Sequence, residues 1–222
     1  MPDIRTVLFD LDGTLVDTAP DMAHALNLLL REQDRDILPF DTIRPHVSHG
    51  ALALVRLGFG LGPSDTAFEP LRQRFLEIYA DNLCRESHLF PGIPQLLAQL
   101  HAKGLNWGIV TNKPGYLTEP LLAQLGLAQE AACIVSGDTT NNRKPHPEPM
   151  LHACDKAGST PAQSVYVGDA ERDIQAGKQA GMQTVVALFG YIPDDEDPEQ
   201  WGASALIRAP MEVIDFLDRQ TS

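Results

Sequence analysis

The chain has 222 residues, a hydrophobic content of 43% and a formal net charge of −13 at pH 7. This length permits one hydrophobic core, or a core domain with a small insert. The negative charge disfavours a nucleic-acid partner, because neutralising a phosphate backbone requires a basic surface. A site for an anionic small molecule would have to supply its own local cations.

The sequence contains no signal for a membrane or for an oxidising compartment. No run approaches the roughly 18 apolar residues that span a bilayer, and the start, Met-Pro-Asp, lacks the segments of a signal peptide. Cys84, Cys133 and Cys154 lack metal-ligand spacing and are predicted to be reduced, buried thiols. We therefore expect a cytoplasmic protein without a membrane partner.

The first predicted strand covers residues 3–12 and ends in a pair of carboxylates. The apolar run Val7-Leu8-Phe9 leads directly into Asp10-Leu11-Asp12-Gly13. Side chains alternate along a strand, so Asp10 and Asp12 point the same way. Two such carboxylates resist ionising together unless a cation or a proton lies between them. The alternative interpretation is a plain turn, because Asp and Gly both favour turns.

Residues 18–87 are predicted to form a small all-helical domain inserted after the first strand. Apolar side chains recur there at helical spacing in three segments, and no strand pattern interrupts them. The core domain would then comprise residues 1–17 and 88–222. The apolar positions behind this prediction are Met22, Ala25, Leu26, Leu29 and Leu30; Leu52, Leu54, Val55 and Leu57; and Phe68, Leu71, Phe75, Ile78 and Tyr79.

After residue 88 the pattern alternates between strands and helices. This alternation predicts an α/β fold, a Rossmann-like doubly wound parallel sheet with helices on both faces. Ligands bind such sheets beyond the carboxyl ends of the strands, and the polar motifs of this chain follow strand ends. The strands are predicted at residues 106–110, 133–136, 164–167, 184–188 and 205–207.

Four short motifs, in this order, resemble those of the haloacid dehalogenase superfamily, phosphatase branch. The resemblance covers essentially the whole chain. It implies the same α/β core and a helical cap between the first and second motifs. The motifs are Asp10-Leu11-Asp12-Gly13-Thr14-Leu15, Thr111-Asn112, Lys144-Pro145, and Gly168-Asp169 followed by Asp173.

The resemblance also implies a role for each carboxylate. Asp10 would be the nucleophile and a metal ligand, forming an aspartyl-phosphate. Asp12 would protonate the leaving alcohol and then activate water, and its backbone carbonyl would reach the metal. Asp169 would be the second carboxylate ligand. The implied cofactor is Mg²⁺, which suits a site made of oxygen ligands.

Other motif residues are candidates for binding the phosphate. Thr111, Asn112 and Lys144 are the predicted contacts, and Lys113 is a further one. By itself Lys144 would be interpreted as an ordinary surface lysine. Asp173 either orients metal-bound waters or Lys144, or else complements a helix N-terminus, and both interpretations stay open.

Substrate specificity is assigned to the cap. Arg44, His49 and Arg56 are the candidate substrate contacts, and His46 is a further candidate. Each could equally be a solvated surface residue. The acidic stretch at residues 194–197 is predicted to be a solvated turn.

The expected activity is Mg²⁺-dependent hydrolysis of a small phosphorylated metabolite that carries a carboxylate, by a monomer or homodimer. Within the superfamily the chain resembles phosphoglycolate phosphatases and their relatives acting on N-acetylmuramic acid 6-phosphate. Three alternatives stay open. A β-phosphoglucomutase-type isomerase would keep all four motifs. A 2-haloacid dehalogenase would not need Asp12 or a metal. A catalytically dead binding module would have lost the nucleophile or a metal ligand.

Overall fold

The computed structural model describes residues 3–221, and its centre is a six-stranded parallel sheet. The strand order is β5-β4-β1-β6-β7-β8. A separate two-stranded antiparallel ribbon consists of β2 and β3. The strands are β1 Thr6–Phe9, β2 Val16–Asp17, β3 His88–Leu89, β4 Asn106–Val110, β5 Ile134–Val135, β6 Ser164–Gly168, β7 Gln183–Ala187 and β8 Ala205–Ile207.

Helices flank the sheet, and others form the insert between β2 and β3. The bounds are α1 Ala19–Glu32, α2 Phe40–Ile43, α3 Gly50–Phe59, α4 Phe68–Asp81, α5 Ile93–Ala102, α6 Gly115–Gln124, α7 Glu148–Lys156, α8 Glu171–Ala180 and α9 Glu212–Thr221. Short 3₁₀ helices occur at Arg44–His49, Pro161–Gln163 and Pro198–Trp201. Among the helices of residues 3–221, none is long and apolar enough to cross a bilayer.

Both faces of the sheet are buried, as the predicted Rossmann-like fold requires. Val7 and Phe9 of β1 pack in one hydrophobic cluster with residues of α5, α6 and α9. Leu8, which points the other way, packs in a second cluster with residues of α7 and α8. The continuous apolar run of β1 follows from this arrangement, because a strand covered on both faces has no solvent side.

The register brings the motifs to one edge of the sheet. Phe9 pairs with Ile109 of β4 on one side and with Val167 of β6 on the other. All three strands are parallel, so the residues that follow them leave the sheet at the same end. Asp10, Thr111 and Asp169 are therefore neighbours in space.

The insert is an all-helical cap, as predicted. Its helices α1, α3 and α4 pack on one another. The chain leaves the core through β2 and returns through β3, whose residues pair as Val16 with Leu89 and Asp17 with His88. Boundaries at residues 18 and 87 remain a prediction.

Several predicted element bounds differ from the observed ones. The strand predicted over 3–12 comprises only Thr6–Phe9, because the residues after it turn away to form the carboxylate loop. The ribbon strands β2 and β3 were not predicted, since two-residue strands leave no periodic pattern. Cys133 and Cys154 are buried free thiols, but Cys84 is only half-buried, contrary to the prediction.

Candidate active site

Three buried carboxylates meet at the carboxyl edge of the sheet. Asp10, Asp169 and Asp173 each offer one oxygen, and these oxygens lie within 4.8 Å of one another. Asp10 follows β1, and its backbone N–H donates to the carbonyl of Val167 at 2.9 Å. Asp169 follows β6, and Asp173 lies in the first turn of α8.

The electrostatics of this cluster favour a bound cation. Burial raises the pKa of Asp10 from its ordinary value of 3.8 to about 7, with Asp173 and Asp169 adding to the rise and Lys144 opposing it. Burial, together with the Asp173 carboxylate, raises the pKa of Asp169 to about 6. A cation would relieve this mutual repulsion, and an all-oxygen donor set of buried carboxylates fits a hard ion such as Mg²⁺.

Lys144 is a cation that the chain itself places in direct contact with the cluster. Its fully buried Nζ lies 2.8 Å from an oxygen of Asp10 and 2.8 Å from an oxygen of Asp173. Nζ also donates to the carbonyl of Val110 at 2.9 Å and to the hydroxyl of Tyr166 at 2.8 Å. The interpretation of Lys144 as a surface lysine is therefore wrong.

Asp173 makes contacts that fit both of the roles that the sequence left open. Its Oδ1 is paired with Lys144, and its Oδ2 accepts the backbone N–H of Ala170 at 3.1 Å, at the start of α8. One carboxylate thus orients the lysine and complements a helix N-terminus.

The side chain of Asn112 holds the backbone of Lys144. Its Nδ2 donates to the Lys144 carbonyl at 3.0 Å, and its Oδ1 accepts the Lys144 N–H at 3.0 Å. These contacts fix the loop that carries Lys144, so the Asn112 amide is already engaged by protein. Thr111 is buried beside it, and its hydroxyl accepts the N–H of Lys113 at 3.1 Å.

Two backbone donors at the floor of the cleft are unpaired. Within residues 3–221, the N–H groups of Asp12 and Asn112 donate to no acceptor, and both residues line the cleft. Unpaired N–H groups of residues that line a cleft are suited to binding an anion.

Asp12 lies outside the three-carboxylate cluster and faces the cleft. Its Oδ1 accepts the hydroxyl of Thr18 at 2.6 Å and lies 2.8 Å from Nζ of Lys113. Nζ of Lys113 also donates to the hydroxyl of Tyr79 in the cap, at 2.9 Å. Burial alone would lower the pKa of Lys113, but the Asp12 carboxylate more than reverses this and the pKa is raised. Lys113 is therefore held as a cation between Asp12 and the cap.

Two glycines let the loops close around Asp169. Gly13 has φ +87°, and a Cβ there would collide with the Asp169 carboxylate. A Cβ at Gly190 would collide with Asp169 and come within 2.5 Å of the Gly13 carbonyl. Both positions require glycine because backbone passes directly against the carboxylate.

The cleft between core and cap has a volume of about 680 Å³. Its floor carries the motif residues, and its other wall belongs to the cap. The cap residues in that wall include Ser48, His49, Leu52, Arg72, Leu76 and Tyr79. Tyr116 from the core, 56% exposed, lies at the mouth.

The structure brings only one of the three predicted cap contacts to the cleft. Arg44 instead donates to the carbonyls of Gly190 at 3.2 Å and Phe189 at 3.3 Å. Its guanidinium also stacks on the ring of Tyr191, 4.9 Å from the centroid. Arg56 is exposed on α3 and is not part of the cleft wall. Sequence spacing could not show which face of the cap would dock on the core.

His49 does line the cleft, and its partner corrects another prediction. Its Nε2 lies 3.3 Å from Oε1 of Glu196. The stretch at 194–197 is therefore not simply a solvated turn, because Glu196 contacts the cap. Burial and the nearby Arg172 guanidinium lower the pKa of His49.

Three arginines line the cleft that sequence reasoning did not place there, namely Arg72, Arg143 and Arg172. Arg172 lies between Asp169 and Asp173 in the chain, and its Nη2 donates to the carbonyl of Ser48 at 2.6 Å. The position of Arg172 inside the fourth motif is the sequence signal that could have identified it as a site residue. Arg72 lies on α4 and pairs with exposed Glu69 at 2.6 Å. No sequence signal separated Arg72 from the other arginines of the cap.

The family model for haloacid dehalogenase-like hydrolases matches residues 7–187. The chain belongs to this family. Among solved structures, this hydrolase is similar to a "predicted phosphoglycolate phosphatase" from Haemophilus somnus, with a TM-score of 0.85 and 27% identity. That alignment covers 97% of this chain and 99% of the other.

Curated relatives of this haloacid dehalogenase-like hydrolase are phosphatases. It is 40% identical over 216 residues to the N-acetylmuramic acid 6-phosphate phosphatase of Pseudomonas aeruginosa, covering 97% of this chain and 96% of the relative. It is 44% identical over 209 residues to the phosphoglycolate phosphatase of Xanthomonas campestris pv. campestris, covering 94% of each. The chain is therefore a phosphatase of this family.

Proposed function

We propose that the protein is a Mg²⁺-dependent phosphomonoester hydrolase that works through an aspartyl-phosphate on Asp10. The observation that carries this proposal is the position of Asp10. It is buried at a strand end, next to two carboxylates and Lys144, and it lines the cleft that Asp12 also faces.

The proposed reaction has two displacements. In the first, a carboxylate oxygen of Asp10 bonds to phosphorus, the bond from phosphorus to the leaving alcohol breaks, and Asp12 gives that alcohol a proton. In the second, Asp12 takes a proton from water, the water oxygen bonds to phosphorus, and the bond to Asp10 breaks to release inorganic phosphate.

The other residues supply charge and position. Asp10 and Asp169 would hold the Mg²⁺, with the backbone carbonyl of Asp12 as a further ligand. When bound, Mg²⁺ would offset the repulsion between the anionic nucleophile and the anionic phosphate. Lys144 keeps Asp10 oriented through the 2.8 Å contact. The hydroxyl of Thr111 and the unpaired N–H groups of Asp12 and Asn112 are the proposed phosphate donors.

The substrate is proposed to be a small carboxylate-bearing phosphomonoester. Phosphoglycolate and N-acetylmuramic acid 6-phosphate are the substrates in the names of the relatives, and both carry a carboxylate. Arg72 is the proposed partner of that carboxylate, replacing Arg44 and Arg56 in this role, because it is the cap arginine that lines the cleft. Arginine can bind a carboxylate through two parallel hydrogen bonds. Arg72 makes such a pair with the exposed Glu69, at 2.8 and 2.6 Å, and would exchange it for the substrate carboxylate.

The cytoplasm is the proposed compartment. Cys84, Cys133 and Cys154 are all free, and unpaired thiols are typical of a reducing environment.

We expect Arg72→Ala to lower kcat/KM for the carboxylate-bearing substrate by at least about tenfold, which is about 1.4 kcal/mol of transition-state stabilisation. Hydrolysis of a small aryl phosphate, which lacks the carboxylate, should change little. Steady-state kinetics on both substrates measure this. Arg74→Ala is the matched control, since Arg74 lies on the same helix but pairs with exposed Glu32 outside the cleft. An equal loss on both substrates would remove Arg72 from the proposal.

We expect chelation with EDTA to abolish phosphate release and added Mg²⁺ to restore it. Ca²⁺ should replace Mg²⁺ poorly, because it prefers more ligands at longer distances. Asp169→Asn should raise the Mg²⁺ concentration needed for half-maximal activity. The assay measures release of phosphate from phosphoglycolate, N-acetylmuramic acid 6-phosphate and a sugar phosphate, and release of halide from a 2-haloacid. Full phosphate release after exhaustive chelation would contradict the metal requirement, and halide release from the 2-haloacid in EDTA would favour the dehalogenase alternative.

A further inference from the structure

One segment of the cap reaches the carboxylate cluster itself. Ser48, in the 3₁₀ helix Arg44–His49, donates its hydroxyl to Oδ2 of Asp169 at 2.6 Å. The core holds Ser48 in place, because Arg172 donates to its carbonyl at 2.6 Å. A cap residue therefore touches a carboxylate on which the proposed metal site depends.

The second donor to the same oxygen depends on the same cap segment. The backbone N–H of Tyr191 donates to Oδ2 of Asp169 at 2.9 Å. The loop that carries Tyr191 is bound by Arg44 through the carbonyls of Phe189 and Gly190. Arg44 also covers the Tyr191 ring. Both hydrogen bonds to Oδ2 thus involve residues that the Arg44–His49 segment supplies or holds.

Hydrogen bonds of this kind decide how a carboxylate presents itself to a metal. Thr14 donates to the other oxygen of Asp169 at 3.1 Å, so the plane of the carboxylate is fixed from both sides. Partners that orient a metal ligand typically contribute about 10–100-fold to metal affinity. Thr14 and Tyr191 belong to the core, whereas Ser48 belongs to the cap.

We propose that Ser48 is a positioning residue for Asp169, and that Mg²⁺ binding and docking of the cap segment Arg44–His49 on the core are coupled through it. The inference rests on the proposed function, because it takes Asp169 as a Mg²⁺ ligand. If the docked segment orients the ligand, Mg²⁺ binds the docked form more tightly. Thermodynamic linkage then requires that Mg²⁺ favour docking.

The test is calorimetric titration of Mg²⁺ into the protein without substrate. We expect the Mg²⁺ Kd of Ser48→Ala to exceed that of the wild type by at least about tenfold, and Ser48→Thr, which keeps the hydroxyl, to recover most of the affinity. Arg56→Ala, an exposed change in the neighbouring helix, should leave Kd unchanged. Hydrogen exchange of residues 40–59 should slow on adding Mg²⁺ to the wild type but not to Ser48→Ala.

The outcomes separate this inference from the proposed function. A wild type that binds no Mg²⁺ would overturn both. A wild type that binds Mg²⁺, with Ser48→Ala binding equally well, would overturn the coupling and leave the proposed function intact. If Ser48→Ala fails to fold by circular dichroism, Arg44→Gln tests the same carboxylate through residues 189–191. It should weaken Mg²⁺ binding, and an unchanged Kd would overturn the inference.

Discussion

Asp10→Asn should reduce phosphomonoester turnover by at least about 10⁴-fold, since an amide cannot replace the carboxylate that would form the proposed covalent intermediate. The fold should survive. Asn retains an oxygen for the two donors that contact Oδ1 of Asp10, the N–H of Leu11 at 2.7 Å and Nζ of Lys144 at 2.8 Å. Burial and the neighbouring carboxylates already raise the pKa of Asp10 to about 7. Removing the charge of Asp10 therefore removes its repulsion with Asp173 and Asp169.

Two measurements together decide this prediction. Steady-state turnover of an aryl phosphate gives the loss of rate, and beryllium fluoride, which imitates a phosphoryl group on a carboxylate, should modify only the wild type. Asp41→Asn is the matched control, because Asp41 is an exposed carboxylate in the first turn of α2. Turnover near the wild-type level in Asp10→Asn would contradict the aspartyl-phosphate mechanism.

Lys144→Met should cost about 3–5 kcal/mol of unfolding free energy as well as activity, because it removes the cation that directly contacts two buried carboxylates. Methionine has a similar length, so the loss reflects charge more than volume. Asp10 and Asp173 would remain buried, and the hydroxyl of Tyr166 would lose the N–H that it accepts from Nζ. The carbonyl of Val110 would also lose Nζ but would keep the hydroxyl of Tyr166 as a donor, at 2.7 Å. Urea unfolding monitored by circular dichroism measures the difference.

The pH dependence of this loss has a definite sign. The pKa of Asp10 is already raised above its ordinary value of 3.8, and without Lys144 it should rise further. The folded variant then binds more protons than the unfolded chain. Its stability therefore falls as the pH increases from the ordinary pKa of Asp10 towards its raised pKa in the folded variant. The destabilisation should be smaller near about pH 5 than near about pH 8.

Two further variants show whether charge is the cause. Lys156→Met, an exposed lysine at the end of α7, should change stability by no more than about 0.5 kcal/mol. Asp173→Asn added to Lys144→Met should recover part of the loss, because it removes one of the unpaired charges. A loss that is independent of pH and unaffected by Asp173→Asn would assign Lys144 a packing role only.

The sequence was sufficient to predict the sheet and the side of it on which the site lies. Asp10 and Asp169 directly follow buried strands, so local pattern and the direction of the strands together place them at one edge. Lys144 could be assigned only through the resemblance, because nothing in its own surroundings in the chain distinguishes a buried lysine from an exposed one.

Contacts between cap and core were beyond the reach of sequence patterns. The roles of Ser48, Arg44 and Arg72 depend on how the cap docks, and that is set by packing between residues more than a hundred positions apart. Helical spacing showed that α4 is amphipathic, but it could not show that Arg72 faces the cleft. Arg56, equally basic and also on a cap helix, lies in solvent instead.

The tight approach of Gly13 and Gly190 to Asp169 limits how this protein could evolve. Any side chain at either position would displace the carboxylate, so neither position can accept the gradual changes by which enzymes acquire new substrates. The cap wall has no such restriction, because side chains such as Leu52 and Arg72 extend into an open cleft. Descendants of this chain would keep the loops around Asp169 unchanged and would acquire new substrates through substitutions in the cap wall.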